Sequence, residues 1–243
     1  MQRDIETAIK RNLQKSRAEI VFASLFGSYR RGDYDNFSDV DIFVVCSDED
    51  EKPLISRGLK CLESVLNRNV HVNLFSLKEF ESRLRFHDYL TASIIEDSSF
   101  IFGRRDFFAE AKRKILEGRP DEESIRFNRD MGFKTLKHVY LRFSKLDSGS
   151  SHRHWDLLNY AVRGLNDYRL GLGYLYASAE MQSSGRSVSF TRLGQRGFSS
   201  ALMNIARTEK IIKRGSIDYT LLSKIVNGIK DKSLRILSEK SFY

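Results

Sequence analysis

The sequence is poor in cysteine and has no long apolar run. Its 243 residues include only two cysteines, Cys46 and Cys61, too few for a disulfide framework, which favours a reducing compartment. No stretch approaches the roughly 18 consecutive apolar residues of a membrane-spanning helix. Residues 1–15 carry charges throughout and lack the apolar core of a signal peptide. These absences argue against the disulfide-rich secreted and membrane classes, and they predict a cytoplasmic protein with no membrane partner.

Positive charge is concentrated in the second half of the chain. The formal net charge is +9. Residues 1–118 contain 19 Lys and Arg against 20 Asp and Glu, whereas residues 119–243 contain 22 against 12. The second half could therefore attract RNA or another polyanion. An ordinary solvated helical surface explains the composition equally well.

Apolar patterning predicts a sheet in the first half. The short runs Ile20–Phe26 and Val40–Cys46 are typical of buried strands. Residues 70–75 alternate between apolar and polar, and residues 100–102 form a short apolar run before a glycine, so each predicts a further strand. The segments between these strands have apolar residues at helical spacing.

The second half predicts helices. From residue 155 to residue 179, apolar residues recur in steps of three or four, as in the core helix of a bundle. Gly164 and Gly171 interrupt this stripe, and close packing against a neighbouring helix is a plausible reason for them. Residues 182–186 are predicted to form a loop, and only residues 187–190 hint at a strand.

Two aspartates next to a buried strand predict a metal site. Asp39 and Asp41 are two residues apart, so on a strand their side chains project from the same face. Adjacent carboxylates repel each other, and a divalent cation bound between them relieves that cost. Because all the ligands are oxygens, Mg²⁺ or Mn²⁺ is favoured over softer metals.

A glycine–serine pair at the preceding strand end predicts a phosphate site. Gly27 and Ser28 lie where a strand meets a helix, so backbone N–H groups and the Ser28 hydroxyl can hold a terminal phosphate. Arg31 can neutralise the same phosphates. Ser38 completes the set of predicted nucleotide-binding residues.

The two sites together resemble the DNA-polymerase-β-like nucleotidyltransferase superfamily. Its signature is Gly-Ser, a spacer of about ten residues and Asp-x-Asp, and here ten residues separate Ser28 from Asp39. Residues 27–32 are most similar to the minimal and aminoglycoside-type branches. The resemblance covers residues 20–105. It implies an α/β (strictly α+β) fold, with a mixed-sheet nucleotidyltransferase domain at 1–118 and an all-α, basic helical bundle at 119–243.

The resemblance also implies a reaction. A nucleoside monophosphate would pass from a nucleoside triphosphate to an acceptor hydroxyl or other nucleophile, with Asp39 and Asp41 as catalytic ligands of Mg²⁺ or Mn²⁺. RNA, a protein side chain and a small alcohol all remain acceptors to consider. Two alternatives stay open: a nucleotide- or RNA-binding protein of the same fold without turnover, and an interaction partner of the toxin–antitoxin type. The sequence does not indicate the oligomeric state.

One departure from the family pattern concerns the third carboxylate, which the family usually places on the neighbouring strand. His71 stands at that position. A neutral imidazole can take a proton near pH 7 but is a poor ligand for Mg²⁺. Three explanations compete: His71 is the catalytic base, a carboxylate of the helical half such as Glu180 replaces it, or the protein binds nucleotide without transferring it.

Overall fold

The computed structural model divides the chain into two compact units, Met1–Pro120 and Asp121–Tyr243. The structure describes residues 2–36, 38–144, 154–189, 193, 204–205, 208, 212 and 219–239. Among these residues, no helix combines the length and apolar character that crossing a membrane requires.

The first unit alternates strands and helices. Its strands are β1 Ile20–Phe26, β2 Val40–Cys46, β3 Val70–Ser76 and β4 Ser99–Gly103. Its α-helices are α1 Gln2–Lys15, α2 Gly27–Arg31, α3 Lys52–Leu66, α4 Leu77–Arg85, α5 Tyr89–Glu96 and α6 Arg105–Glu117, and a 3₁₀ turn at Glu49–Glu51 precedes α3.

The four strands form one mixed sheet in the order β3-β2-β1-β4. Strand β1 is antiparallel to both of its neighbours, β2 and β4, whereas β2 and β3 are parallel. The predicted strands and the mixed sheet are therefore confirmed.

Both faces of the sheet are covered, which explains why β1 and β2 are apolar except at Ser24 and Asp41. Helices α1 and α3 pack on one face, where Leu25 and Ile42 are buried. Helices α4, α5 and α6 pack on the other, against Phe22 and Phe43. Because residues two apart share a face, Asp41 lies on the same side of the sheet as Phe43.

Most of the described residues of the second unit lie in helices, as predicted. Its helices are α7 Glu122–Ser144, α8 His154–Ser184 and α9 Tyr219–Glu239. A Cβ added to Gly171 would lie 2.9 Å from the Leu136 side chain and 3.3 Å from the Gly132 carbonyl oxygen, and one added to Gly164 would collide with the Phe143 ring. Close approach of α7 and α8 therefore accounts for these glycines, and an α/β unit followed by a helical region is the fold class.

Two local predictions in this unit were wrong. The loop predicted at residues 182–186 begins later, because α8 continues to Ser184 and ends at Gly185, whose φ of +64° suits a helix terminus. No strand forms at residues 187–189, and residue 190 lies outside the described residues. A strand needs a partner for its backbone hydrogen bonds, and the described neighbours in this unit are helices.

Candidate active site

The predicted phosphate site is a tight turn between β1 and α2. Strand β1 ends at Phe26 and α2 begins at the next residue, Gly27, whose φ is +73°. Helix α2 ends at Arg31, and the next residue, Gly32, caps it with a φ of +80° and donates its N–H to the Ser28 carbonyl oxygen at 2.9 Å. A residue with a Cβ is strained at these positive φ values, so the turn requires glycine at both ends.

Tyr29 fixes the orientation of α2. Its side chain is buried in the core that α1 and α3 cover. Its ring stacks on that of Tyr34, with centroids 4.4 Å apart and planes 3° from parallel. With Tyr29 anchored inward, Arg30 and Arg31 are exposed.

The Asp41 carboxylate lies directly against the phosphate turn. In the β1–β2 ladder Asp41 pairs with Phe26, the residue before Gly27. A Cβ added to Gly27 would collide with the Asp41 carboxylate. Gly27 is therefore needed for space as well as for its backbone conformation, and the two halves of the predicted motif meet here.

Asp39 is the residue immediately before β2, and the neighbouring chain supports it. The Asn69 side-chain amide donates a hydrogen bond to Asp39 Oδ1 at 3.3 Å, and the Asn69 carbonyl oxygen accepts one from the Val40 N–H at 2.9 Å. Sequence reasoning missed Asn69, because its role depends on the parallel pairing of β2 with β3.

His71 lies beside Asp41 on the neighbouring strand. The β2–β3 register pairs the two residues, and His71 Nδ1 is 3.3 Å from Asp41 Oδ1. The His71 side chain is 64% exposed and that of Asp41 25%. Within the described residues, no group of three or more His, Cys, Asp or Glu side chains is arranged to hold a metal ion. Any metal here would depend on a few protein oxygens and on ligands from the nucleotide.

The remaining predicted nucleotide-binding residues differ in their surroundings. Arg31 Nε lies 3.4 Å from Asp33 Oδ1, and the Arg31 side chain is 46% exposed. The Ser38 hydroxyl closes the loop before β2, since it donates to Asp35 Oδ1 at 3.0 Å and accepts from the Asp35 N–H at 2.9 Å. Ser28 lies in the first turn of α2, and its hydroxyl has no hydrogen-bond partner among the described residues.

Asp97 is a site residue that sequence reasoning missed. Its Oδ2 accepts from the Gly27 N–H at 3.2 Å and from Arg31 at 2.7 Å, and its Oδ1 accepts from Arg30 at 3.4 Å. Asp97 is 70 residues from Gly27 in sequence, so no local pattern links them. Its position just before β4 would have indicated that it lies near Gly27, but only once the pairing of β4 with β1 is known.

Comparison with known proteins identifies the first unit. Residues 4–120 match the family model described as "Nucleotidyltransferase domain". No curated protein matches the chain.

Three solved structures are similar to parts of the chain. A toxin–antitoxin structure with AMP-PNP is 22% identical, with 45% of this chain and 82% of that chain covered and a TM-score of 0.35. A tri-AMPylated HEPN toxin in complex with MNT antitoxin, from Shewanella oneidensis, is 20% identical, with 47% and 82% covered and a TM-score of 0.34. A nucleotidyltransferase-like protein from Exiguobacterium sibiricum is 13% identical, with 97% and 75% covered and a TM-score of 0.38. The family model therefore assigns residues 4–120, just under half of the chain, to a nucleotidyltransferase domain, consistent with the polymerase-β-like superfamily, and the Gly27 turn and Asp41 lie within it.

Proposed function

We propose that the protein is a metal-dependent nucleotidyltransferase. It would move a nucleoside monophosphate from a nucleoside triphosphate to an acceptor hydroxyl and release pyrophosphate. The observation that carries this proposal is the Asp41 carboxylate against the Gly27 turn, because it brings a metal-ligand type and a phosphate-binding turn together. The family of residues 4–120 supports the same reaction class.

The residues fit Mg²⁺ or Mn²⁺. Asp41 offers an oxygen donor from β2 and Asp39 offers one from the residue before the strand. Mg²⁺ usually takes one or two protein carboxylates and completes its shell with phosphate oxygens and water. Asn69 and His71 contact these carboxylates and would keep them oriented. A metal bound by Asp39 and Asp41 would offset the negative charge that develops on the attacking and leaving oxygens.

The Gly27 turn would hold the triphosphate. The Ser28 hydroxyl and the backbone N–H groups of the turn are suited to phosphate oxygens. Arg31 has five N–H donors, more than its contacts with Asp97 and Asp33 use, so it can also bind phosphate. Ser38 would contribute through the loop that it closes before Asp39.

His71 is the base that we favour for activating the acceptor hydroxyl. Its imidazole is exposed and touches Asp41, and a neutral imidazole can take a proton from an acceptor hydroxyl. Glu180, on α8, is the alternative base in the second unit. Replacing each in turn by alanine separates them, because loss of the base lowers turnover much more than ATP affinity.

We assign residues 1–118 to the transferase domain and residues 119–243 to a basic domain that binds a polyanionic acceptor, RNA first among them. Helix α7 carries four exposed cations. The described part of the chain gives none of the four an ion-pair partner. The exposed Asp130 lies on the same face, but the four cations outnumber it, so the face can contact phosphates. The four residues are Arg126, Arg129, Lys134 and Lys137.

The decisive experiment uses α-labelled ATP with Mg²⁺ or Mn²⁺ and, separately, total RNA, total protein and small alcohols. Wild type should label one acceptor class, and the double variant Asp39→Ala/Asp41→Ala should lose at least about a hundredfold in rate. Asp106→Ala, which removes an exposed carboxylate on α6 instead, should retain full activity. Equal labelling by wild type and the double variant would contradict the assignment of these carboxylates.

The histidine at position 71 favours one second candidate, a nucleotide-binding protein without turnover. A site in which the third carboxylate is replaced by an imidazole can still bind a nucleotide with its metal. Calorimetric titration of ATP, with and without Mg²⁺, measures this directly. Tight Mg²⁺-dependent ATP binding with no labelled product in any acceptor class would favour the binder over the enzyme.

A further inference from the structure

We propose that Asp97 is a positioning residue of the triphosphate site. It would hold the Gly27 turn and the Arg31 guanidinium in the arrangement that an incoming phosphate meets. The inference rests on the proposed function, because it concerns the same site. It adds a residue that neither the motif nor the family match assigns.

The contacts of Asp97 join the parts of the site that would bind phosphate. Its carboxylate accepts a hydrogen bond from the Gly27 N–H, which has no partner within α2 because Gly27 is the first residue of that helix. The same carboxylate accepts hydrogen bonds from Arg30 and Arg31. The Asp97 side chain is 18% exposed, less than half the exposure of either arginine. One carboxylate thus fixes both the backbone of the turn and the direction of its main cationic side chain.

The chain around Asp97 is itself well held. Asp97 caps the end of α5. The next residue, Ser98, donates its hydroxyl to the Ile94 carbonyl oxygen at 2.6 Å and accepts from the Ser24 hydroxyl at 3.2 Å. Ser99 then pairs with Leu25 in the β1–β4 ladder. The carboxylate is therefore supported by both α5 and the sheet.

Gly27 consequently has a carboxylate from each neighbouring strand region. Asp41 reaches it from β2, and Asp97 reaches it from the segment before β4. We assign them different tasks: Asp41 would hold the metal, whereas Asp97 pairs with the guanidinium groups of Arg30 and Arg31. An arginine already oriented by a carboxylate loses less side-chain freedom when it binds phosphate, and this preorganisation raises affinity.

The test measures the affinity of the full chain for ATP and for AMP with Mg²⁺. Asp97→Ala should weaken ATP binding at least about tenfold, because the turn and Arg31 both lose their support. Asp97→Asn keeps an acceptor for the Gly27 N–H and should recover most of that loss. Asp33→Ala is the matched control, since it removes the other carboxylate on Arg31 but leaves the turn intact, and it should change ATP affinity less than about twofold.

Two further measurements separate positioning from general structure. AMP lacks the terminal phosphates, so its affinity should be nearly unchanged in Asp97→Ala. Arg31→Gln should weaken ATP binding in the wild-type background but have little added effect in Asp97→Ala, because the two residues act together.

Several outcomes would overturn the proposal. They are wild-type ATP affinity in Asp97→Ala, tighter ATP binding in that variant, and equal losses for ATP and AMP accompanied by a lower melting temperature. Failure of the wild type itself to bind ATP would instead refute the proposed function, and the positioning role with it.

Discussion

Carboxylates cluster at both ends of strands β2 and β3, but their contacts differ. Beyond the carboxyl ends of the strands, Lys52 Nζ lies 2.9 Å from both Glu49 and Glu79. Arg83 lies 3.4 Å from both Glu79 and Asp88. This group of five residues, the ion-pair cluster, joins the 3₁₀ turn, α3, α4 and the start of α5.

At the opposite end, the contacts of Asp39 and Asp41 include an amide, from Asn69, and an imidazole, from His71. The ion-pair cluster neutralises its acids with lysine and arginine, and its charges stabilise one another. The aspartates at the other end are contacted by an amide and an imidazole, the kinds of group that orient metal-binding carboxylates. We infer that the first end stabilises the fold and the second end performs chemistry.

The pKa shifts agree with this division. A hydrogen bond from Ser76, followed by one from Lys52, lowers the pKa of the Glu49 carboxyl. For Lys52, burial alone would lower the pKa, but hydrogen bonds to Glu49 and Glu79 outweigh it and the pKa is raised. Both directions favour the charged forms, as expected for a structural ion-pair cluster.

Gly27→Ala should have the largest effect, because it changes a residue in direct contact with Asp41, at the end of the sheet to which we assign the chemistry. The new Cβ would collide with the Asp41 carboxylate at a φ of +73°. We expect ATP affinity to fall at least about a hundredfold, and the free energy of unfolding to fall by about 1–3 kcal/mol from the left-handed conformation alone. Calorimetry and urea unfolding measure the two effects.

Gly32→Ala is the matched control for this prediction. It has a similar φ of +80°, but a Cβ there would meet nothing within 4 Å. It should therefore show the backbone strain without the clash. Equal losses of ATP affinity in the two variants would show that strain in the turn, and not the contact with Asp41, is what matters.

His71→Asp should have the next largest effect and would sharpen the contrast between the two ends. It places a third carboxylate beside Asp41, where the structure has an imidazole. We expect Mn²⁺ to bind about tenfold more tightly, since a hard cation gains an oxygen ligand. Without metal the variant should unfold more easily, because the added charge repels Asp41.

Titration of Mn²⁺ by paramagnetic resonance tests this prediction, with His138→Asp as the control. His138 is exposed on α7, so the same change of charge there should leave Mn²⁺ affinity unaltered. If both variants gain affinity equally, net charge and not position 71 would be responsible.

The sequence was most informative where short-range order decides the structure. The apolar runs of β1 and β2 indicated buried strands because both sheet faces are covered, and the fixed spacing of Ser28, Asp39 and Asp41 indicated the site. Asp97 and Asn69 could not be found in this way. Each becomes a site residue only when strands pair in the order β3-β2-β1-β4, and local periodicity does not contain that order.

The end of α8 illustrates another limit. Serine and glycine at residues 182–186 indicated a loop, yet α8 keeps its helical hydrogen bonds until Gly185 provides a left-handed terminus. Serine has a weak intrinsic helix propensity and Ser183 is exposed, but Ser183 and Ser184 donate their hydroxyls to the Glu180 carbonyl oxygen at 3.1 and 2.8 Å within the helix.

Lys52→Met should have a moderate effect at the structural end and none at the chemical end. The Lys52 side chain is 24% exposed, and we expect a loss of about 1 kcal/mol in the free energy of unfolding. ATP affinity should stay unchanged. The ion pair with Glu49 stabilises the folded protein fully above the ordinary pKa of that carboxyl, 4.5. This stabilisation is lost as the pH falls through the lowered pKa of the folded state. The difference between wild type and variant, followed by urea unfolding against pH, should therefore narrow in acid.

The rate of cysteine labelling should show the smallest effect. It reports how substitutions at each end of β2 change the exposure of one buried thiol. Cys46 is the last residue of β2, at the same end as the ion-pair cluster. It is buried, and burial raises the pKa of its thiol, whereas Cys61 is exposed. In a Cys61→Ser background, iodoacetamide should react slowly with Cys46, because the thiol must first be exposed and ionised. Lys52→Met should speed this reaction roughly fivefold, the factor that corresponds to about 1 kcal/mol. Asp41→Ala should leave the rate within about twofold, since the change lies at the other end of the strand. Equal acceleration by both variants would mean that the sheet opens as one unit, and the division between a structural and a chemical end would not extend to its dynamics.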